Sequence, residues 1–169
     1  MISTLLAENP VLVRVLLAVA VVACTVLGRL LHRTCRSGAL SVLATIGLLG
    51  TVALTLSPSS GRATVFCTVQ FSVPFQGLDT LANVAMMLPL TLFAALRLCR
   101  PLAVFAAVSG LSALIELFQA LVPTLGRACD TNDWFMNTAG AALGALLAIA
   151  IISIEARCPE RPRQRRADS

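Results

Sequence analysis

The sequence contains no lysine and no tyrosine, and His32 is its only histidine. Charged residues make up 12% of the chain, whereas soluble domains usually carry about 25%. The shortage of charge excludes an ordinary soluble domain. With a single histidine, the chain cannot form a zinc site of the HExxH type, and it has no Cys–His zinc pattern.

Long apolar runs take up most of the chain, which has 169 residues, 57% of them hydrophobic, and a mean hydropathy of +0.88. Runs of this kind match a hydrocarbon core of about 30 Å. We therefore predict an all-α integral membrane bundle, with one domain over residues 1–154 and about five transmembrane helices. The predicted spans are 11–28, 38–56, 81–98, 102–122 and 134–154.

The first span could instead be a cleaved signal peptide. Such peptides carry positive charge before the apolar run, whereas Arg29, Arg33 and Arg36 follow it here. We expect the first span to remain in the protein.

All 13 basic residues are arginines, and most lie after the first span, after the third span or beyond residue 155. The positive-inside rule places these segments in the cytoplasm, with the N-terminus outside and the C-terminus inside. Residues 155–169 are then a basic, disordered cytoplasmic tail. The arginines indicate a multi-pass protein of the cell membrane with lipid partners, and they do not indicate nucleic-acid binding.

Two cysteines, Cys67 and Cys129, fall in the predicted outer loops. Residues 65–75 around Cys67 alternate between apolar and polar, which favours a short extended segment packed on the bundle. Outside the cell the two thiols could form a disulfide, but sequence alone does not fix the required geometry.

On each of the last three predicted helices, polar residues recur every three or four positions and so lie on one face. The predicted topology places them in the same leaflet of the membrane. They are Asp79 and Asn83, then Ser109, Ser112, Glu116 and Gln119, then Asp133 and Asn137. A charged residue within an apolar helix costs about 2.5–3.5 kcal/mol on insertion scales, so Glu116 calls for a functional explanation. Gly140 and Gly144 have the spacing of a helix-packing motif.

We predict that these stripes meet in one pocket near the outer membrane surface. The candidate binding residues are Asp79, Asn83, Glu116, Gln119, Arg127, Asp130, Asp133 and Asn137. Glu116 is the one candidate for a catalytic group, as a general acid or base. No cofactor is expected, although the acids could hold Mg²⁺ or Ca²⁺. The alternative is structural, because the amides could be interhelical hydrogen-bond partners and Arg127 could pair with a loop acid.

The ordered series of motifs between residues 70 and 144 resembles the VanZ-like membrane proteins. The series runs Val73-Pro74-Phe75, Asp79-x3-Asn83-x5-Pro89-Leu90, Ser112-x3-Glu116-x2-Gln119 and Gly126-Arg127-x2-Asp130-x2-Asp133-x3-Asn137-x2-Gly140-x3-Gly144. Thr91 departs from the glycine usual in the family, and Met86-Met87 replaces an aliphatic-aromatic pair.

The resemblance implies a protein of the cell envelope linked to susceptibility to teicoplanin, a lipoglycopeptide that acts on cell-wall precursors. The ligand would then be a lipid-linked wall precursor or an amphiphilic antibiotic. Two alternatives remain open: a small membrane enzyme that uses its carboxylates on lipid-linked substrates, and a transporter or flippase. Five spans without a visible inverted repeat disfavour the transporter.

Overall fold

The computed structural model describes residues 9–58, 66–71 and 78–155. It contains five long helices: α1 (Pro10–Arg33), α2 (Ser37–Leu56), α3 (Leu78–Leu98), α4 (Pro101–Leu121) and α5 (Thr131–Glu155). All five are long and apolar enough to cross a membrane, so the predicted all-α membrane bundle is confirmed. Its orientation in the membrane stays a prediction.

Three helices extend beyond the predicted apolar spans, because a helix continues after its apolar run ends. α1 continues from residue 28 to Arg33, and α3 and α5 each begin three residues early, at Leu78 and Thr131. The added turns carry polar or basic side chains, and arginine in particular can extend from the end of an apolar helix toward water.

Two short segments join the helices at one end of the bundle. Strand β1 (Cys67–Thr68) lies in the loop between α2 and α3, and strand β2 (Cys129–Asp130) lies just before α5. The strands pair in parallel, with Cys67 opposite Cys129. Of the predicted extended segment, residues 66–71 are described and only Cys67–Thr68 form a strand, while its part with Val73-Pro74-Phe75 lies outside the described residues. The predicted tail also lies outside them, apart from Glu155.

α3 is the central helix and contacts all four of the others, most extensively α5. Met87, Leu92 and Leu96 on α3 are fully or almost fully buried. The helix continues through Pro89. α1, in contrast, exposes most of its apolar side chains, as expected of a helix surrounded by lipid.

Two glycines allow α5 to approach α3 closely. A Cβ atom added to Gly140 would lie 2.5 Å from the carbonyl oxygen of Val84, and one added to Gly144 would lie 2.6 Å from that of Leu88. Real Cβ atoms essentially never come this close to other atoms. The Gly140-x3-Gly144 motif therefore serves helix packing.

The two ends of the bundle differ in chemistry. At the arginine end, the Arg29 Nε donates to Glu155 Oε1 over 2.8 Å, and the Arg97 Nε donates to Ser41 Oγ over 3.1 Å. The polar end is formed by the last turns of α2 and α4, the first turns of α3 and α5, and the two strands. The candidate site residues lie at or near this polar end.

Candidate functional site

The polar stripe of α4 faces the protein interior. Ser112, Glu116 and Gln119 are all buried, and the Ser109 hydroxyl lies 2.9 Å from the Thr138 hydroxyl of α5. Leu114, Leu117 and Phe118, on the other face of the same helix, are exposed. The polar residues therefore lie at the contact between helices and not toward lipid.

Glu116 is the only acid among the described residues whose side chain is buried, at 7% exposure. It lies five residues before the end of α4, about 8 Å from that end at 1.5 Å per residue. Its Oε2 accepts a hydrogen bond of 2.8 Å from the backbone N–H of Asp130. Within the described ranges, the one ion pair joins Arg29 to Glu155 at the other end of the bundle. Glu116 is thus buried without a paired cation in that part of the chain.

The loop that binds Glu116 is held in place covalently. A disulfide joins Cys67 to Cys129, with Cα atoms 4.4 Å apart. The Gln70 Nε2 donates to Asp130 Oδ2 over 2.7 Å, and the backbone N–H of Gln70 donates to Thr131 Oγ1 over 3.0 Å. β1 and its neighbours therefore fix the N–H of Asp130 above the carboxylate of Glu116.

Asp130 also starts α5. Its Oδ1 accepts the backbone N–H of Asn132 at 2.8 Å, which is the bond made by a helix N-cap residue. The side chain thus satisfies one N–H in the first turn of α5, while the Asp130 backbone N–H binds Glu116. One residue couples the start of α5 to the buried acid of α4.

α3 reaches the same cluster through Asn83, whose Nδ2 donates to Asp133 Oδ1 over 2.7 Å. Asp133 is close enough to Glu116, Asp130 and Asp79 for their charges to interact. Asp79 itself is exposed, one turn before Asn83 at the start of α3. The structure therefore places Asp79 at the rim of the cluster and Asn83 within it.

A second polar pair lies one helical turn deeper. The Asn137 Nδ2 donates to Ser112 Oγ over 2.9 Å, and the two residues are 2% and 0% exposed. Asn137 Oδ1 is fully buried and accepts no hydrogen bond. Ser112 precedes Glu116, and Asn137 follows Asp133, by one turn each. This pair therefore lies one turn further into the bundle than the carboxylates of Glu116 and Asp133.

Gln119 and Arg127 have a different role, because both bind the end of α2. The Gln119 Nε2 donates to the carbonyl oxygen of Thr55 over 2.8 Å, and the Arg127 Nε donates to that of Ser57 over 3.1 Å. Carbonyl groups in the last turn of a helix lack partners within the helix. These two side chains supply partners and hold α2 against the loop. Arg127 also lies within interaction range of the Glu116 and Asp133 charges.

The described residues contain no group of three or more histidine, cysteine, aspartate or glutamate side chains arranged to hold a metal ion. Sequence reasoning missed Thr131, Asn132 and Thr138, which support the site through the bonds of the loop and the α4–α5 contact. Thr138 directly follows Asn137 on α5, but its contact with the Ser109 hydroxyl is visible only in the structure.

Comparisons with known proteins give one match. The family model described as VanZ/LLP1 matches residues 15–153. Neither a curated protein nor a solved structure matches the chain.

Proposed function

The chain belongs to the VanZ/LLP1 family, and on that premise we propose that it is a multi-pass protein of the cell membrane that binds a lipid-linked or amphiphilic ligand. The polar head of the ligand would bind at the cluster of Asn83, Glu116, Asp130, Asp133 and Asn137. Its apolar part would lie against the lipid-facing helices. The arginine distribution supports an outer-leaflet position for this polar end.

The burial of Glu116 carries the proposal. An ionisable side chain within a membrane helix is costly, and as a purely structural hydrogen-bond acceptor an uncharged amide would cost less. Here the acid faces the contact between α4 and α5, beside Asp133 and above a further unpaired oxygen of Asn137. Polar groups with unused acceptors at the edge of a bilayer are suited to bind the head of an amphiphile.

The disulfide-fixed loop supports the same function. Because Cys67–Cys129 and the Gln70–Asp130 bond hold the loop over Glu116, the cluster is arranged before a ligand arrives. Preorganisation of this kind lowers the entropy cost of binding.

Through its family, the protein would lower the susceptibility of the envelope to lipoglycopeptides such as teicoplanin. Binding of a lipid-linked wall precursor, or of the drug itself, at the outer surface would achieve this without transport. The five helices do not need to alternate between two open states for such a role.

A binding experiment with purified protein in nanodiscs tests the proposal. We expect saturable binding of a labelled lipid-linked wall precursor or of teicoplanin to the wild-type protein. Glu116→Gln should weaken it by about tenfold or more, equivalent to about 1.4 kcal/mol, because the shape is kept and the charge removed.

Glu155→Gln is the matched control, since it removes a glutamate at the arginine end, about 33 Å from Asp133 along α5 at 1.5 Å per residue. Equal binding by all three proteins would contradict the proposed function. Expression in a teicoplanin-sensitive host, with the protein amount in the membrane measured, should give reduced susceptibility for the wild type and Glu155→Gln but not for Glu116→Gln.

A second candidate is catalysis on a lipid-linked substrate, which the neighbouring Glu116 and Asp133 carboxylates favour. Two adjacent acids can act as general acid and base. A serine nucleophile is not supported, because Ser112 Oγ accepts from Asn137 and His32 lies in the last turn of α1 at the arginine end. Turnover of a labelled precursor that is lost in both Glu116→Gln and Asp133→Asn would favour the enzyme over the binding protein.

A further inference from the structure

The cluster at the polar end is strongly acidic. Glu116, Asp130 and Asp133 interact with one another electrostatically, and Asp79 interacts with Asp133 from the rim. Arg127 is the cation that acts on Glu116 and Asp133, and its Nε is already bound to the carbonyl oxygen of Ser57. One arginine faces four acidic side chains, so the cluster favours a cation over an anion.

The hydrogen bonds show the same imbalance, with more acceptors than donors. A carboxylate has about four acceptor positions. Among the described residues, Glu116 receives the N–H of Asp130, and Asp133 receives the amide of Asn83. Positions for further donors therefore remain on both carboxylates.

Asn137 gives an independent observation. Its Oδ1 is buried without a hydrogen bond, although the residue is only 2% exposed. Its amide lies between α4 and α5, since its Nδ2 binds Ser112. Glu116 and Asp133 lie one turn from this pair, on α4 and α5. A buried acceptor of this kind is costly unless a donor reaches it.

We propose that the head group bound at this cluster is a primary ammonium, held by Glu116, Asp133 and the Oδ1 of Asn137. The assignment rests on the proposed function and names its ligand class. An ammonium group brings three N–H donors, one positive charge and no acceptor. It thus supplies what the cluster lacks in both charge and hydrogen bonding.

Other head groups fit less well. A phosphate would bring negative charge and acceptors to a site already rich in both. A quaternary ammonium has the charge but no N–H group for Asn137. For a metal ion, the described residues contain no group of three or more acidic, histidine or cysteine side chains placed to hold one.

Three probes that share a dodecyl chain and differ in the head group distinguish a primary ammonium from the other head groups. They are dodecylamine, trimethyldodecylammonium and dodecyl phosphate. Binding of each radiolabelled probe to the full-length protein in nanodiscs is measured, and binding to empty nanodiscs is subtracted. We expect dodecylamine to bind at least about tenfold more tightly than either other probe, which is about the effect of one hydrogen bond to a charged group.

Variants assign the binding to the cluster. Glu116→Gln and Asn137→Leu should each weaken dodecylamine binding by about tenfold or more, whereas Glu155→Gln should leave it unchanged. If Asn137→Leu fails to fold, Glu116→Gln alone tests whether dodecylamine binds at the cluster, because this substitution keeps the side-chain shape.

The outcomes separate the two proposals. Tighter binding of dodecyl phosphate, or equal binding of the trimethyl compound, with sensitivity to Glu116→Gln would overturn the ammonium assignment and leave the proposed function standing. Insensitivity of every probe, and of the lipid-linked precursor and teicoplanin, to Glu116→Gln would overturn both.

Discussion

At the scale of single residues, the site depends on groups that each make two kinds of contact. Asp130 accepts from Asn132 and Gln70 through its side chain and donates to Glu116 through its backbone. Glu116 and Asn137 were predictable from the sequence, because a polar side chain within an apolar run has to find a partner. The roles of Gln119 and Arg127 were not predictable, because the carbonyl groups they bind on α2 are remote in sequence.

Asp130 should be more important as a helix cap than as a charge. Asp130→Ala is expected to destabilise the protein by about 1 kcal/mol, the usual effect of losing an N-cap side chain. Asp130→Asn retains a capping oxygen and should be close to the wild type. Thermal unfolding in detergent, with hydrogen exchange at the Asn132 N–H, measures both. Equal stability of the alanine and asparagine variants would show that the cap contributes nothing.

At the scale of helices and strands, the sequence predicted the number of spans but not their arrangement. Apolar runs of bilayer length are visible without any knowledge of packing. The most apolar span, α1, is the most exposed, and the least apolar, α3, is the most buried. Lipid is as apolar as the interior, so a high hydropathy does not mark the central helix of a membrane bundle. The close approach of Gly140 and Gly144 to α3 identifies α3 as the central helix, but the two glycines indicate this only once their partner helix is known.

The glycines of α5 should tolerate no side chain. Gly140→Ala is expected to destabilise the bundle by about 1–3 kcal/mol, because its Cβ would meet the backbone of Val84. Gly110→Ala on α4 is the control, since a Cβ there meets nothing within 4 Å. Thermal unfolding in detergent compares the two variants. A Gly140→Ala protein as stable as Gly110→Ala would mean that α3 and α5 are further apart than described.

The disulfide should hold the strands over the site. Replacing Cys67 and Cys129 together by serine is expected to speed hydrogen exchange at the Asp130 N–H by about tenfold or more, because the loop would open more often. Ligand binding should weaken in parallel as preorganisation is lost. Cys24→Ser, which removes a free thiol on α1, is the control. Unchanged exchange at Asp130 would show that the hydrogen bonds hold the loop without the disulfide.

At the scale of the whole molecule, function depends on which way the bundle faces. The arginine end carries Arg29, Arg33, Arg36, Arg97 and Arg100, and the polar end carries Asp79, Glu116, Asp130 and Asp133. If the arginine end faces the cytoplasm, the site faces the outer surface, where wall precursors and drugs are met.

Thiol labelling tests this orientation. Cys35, an exposed free thiol between α1 and α2, should react with an impermeant maleimide only after permeabilisation of the cells. A cysteine introduced by Ser57→Cys at the polar end should react in intact cells. Peptide mapping assigns the label to each position. The reverse pattern would place the site on the cytoplasmic side.

The central claim is that the buried cluster around Glu116 binds the head of an amphiphile, and photolabelling tests it most directly. The probe is phosphatidylethanolamine, a lipid whose head group ends in the proposed primary ammonium, with a diazirine at the start of an acyl chain. It is crosslinked to the full-length protein in nanodiscs, and the labelled residues are mapped by mass spectrometry. We predict saturable labelling of residues near the cluster, at the last turn of α4 and the first turns of α5, lost in Glu116→Gln and kept in Glu155→Gln. Labelling spread evenly over the lipid-facing surface of α1, and equal in all three proteins, would contradict the account.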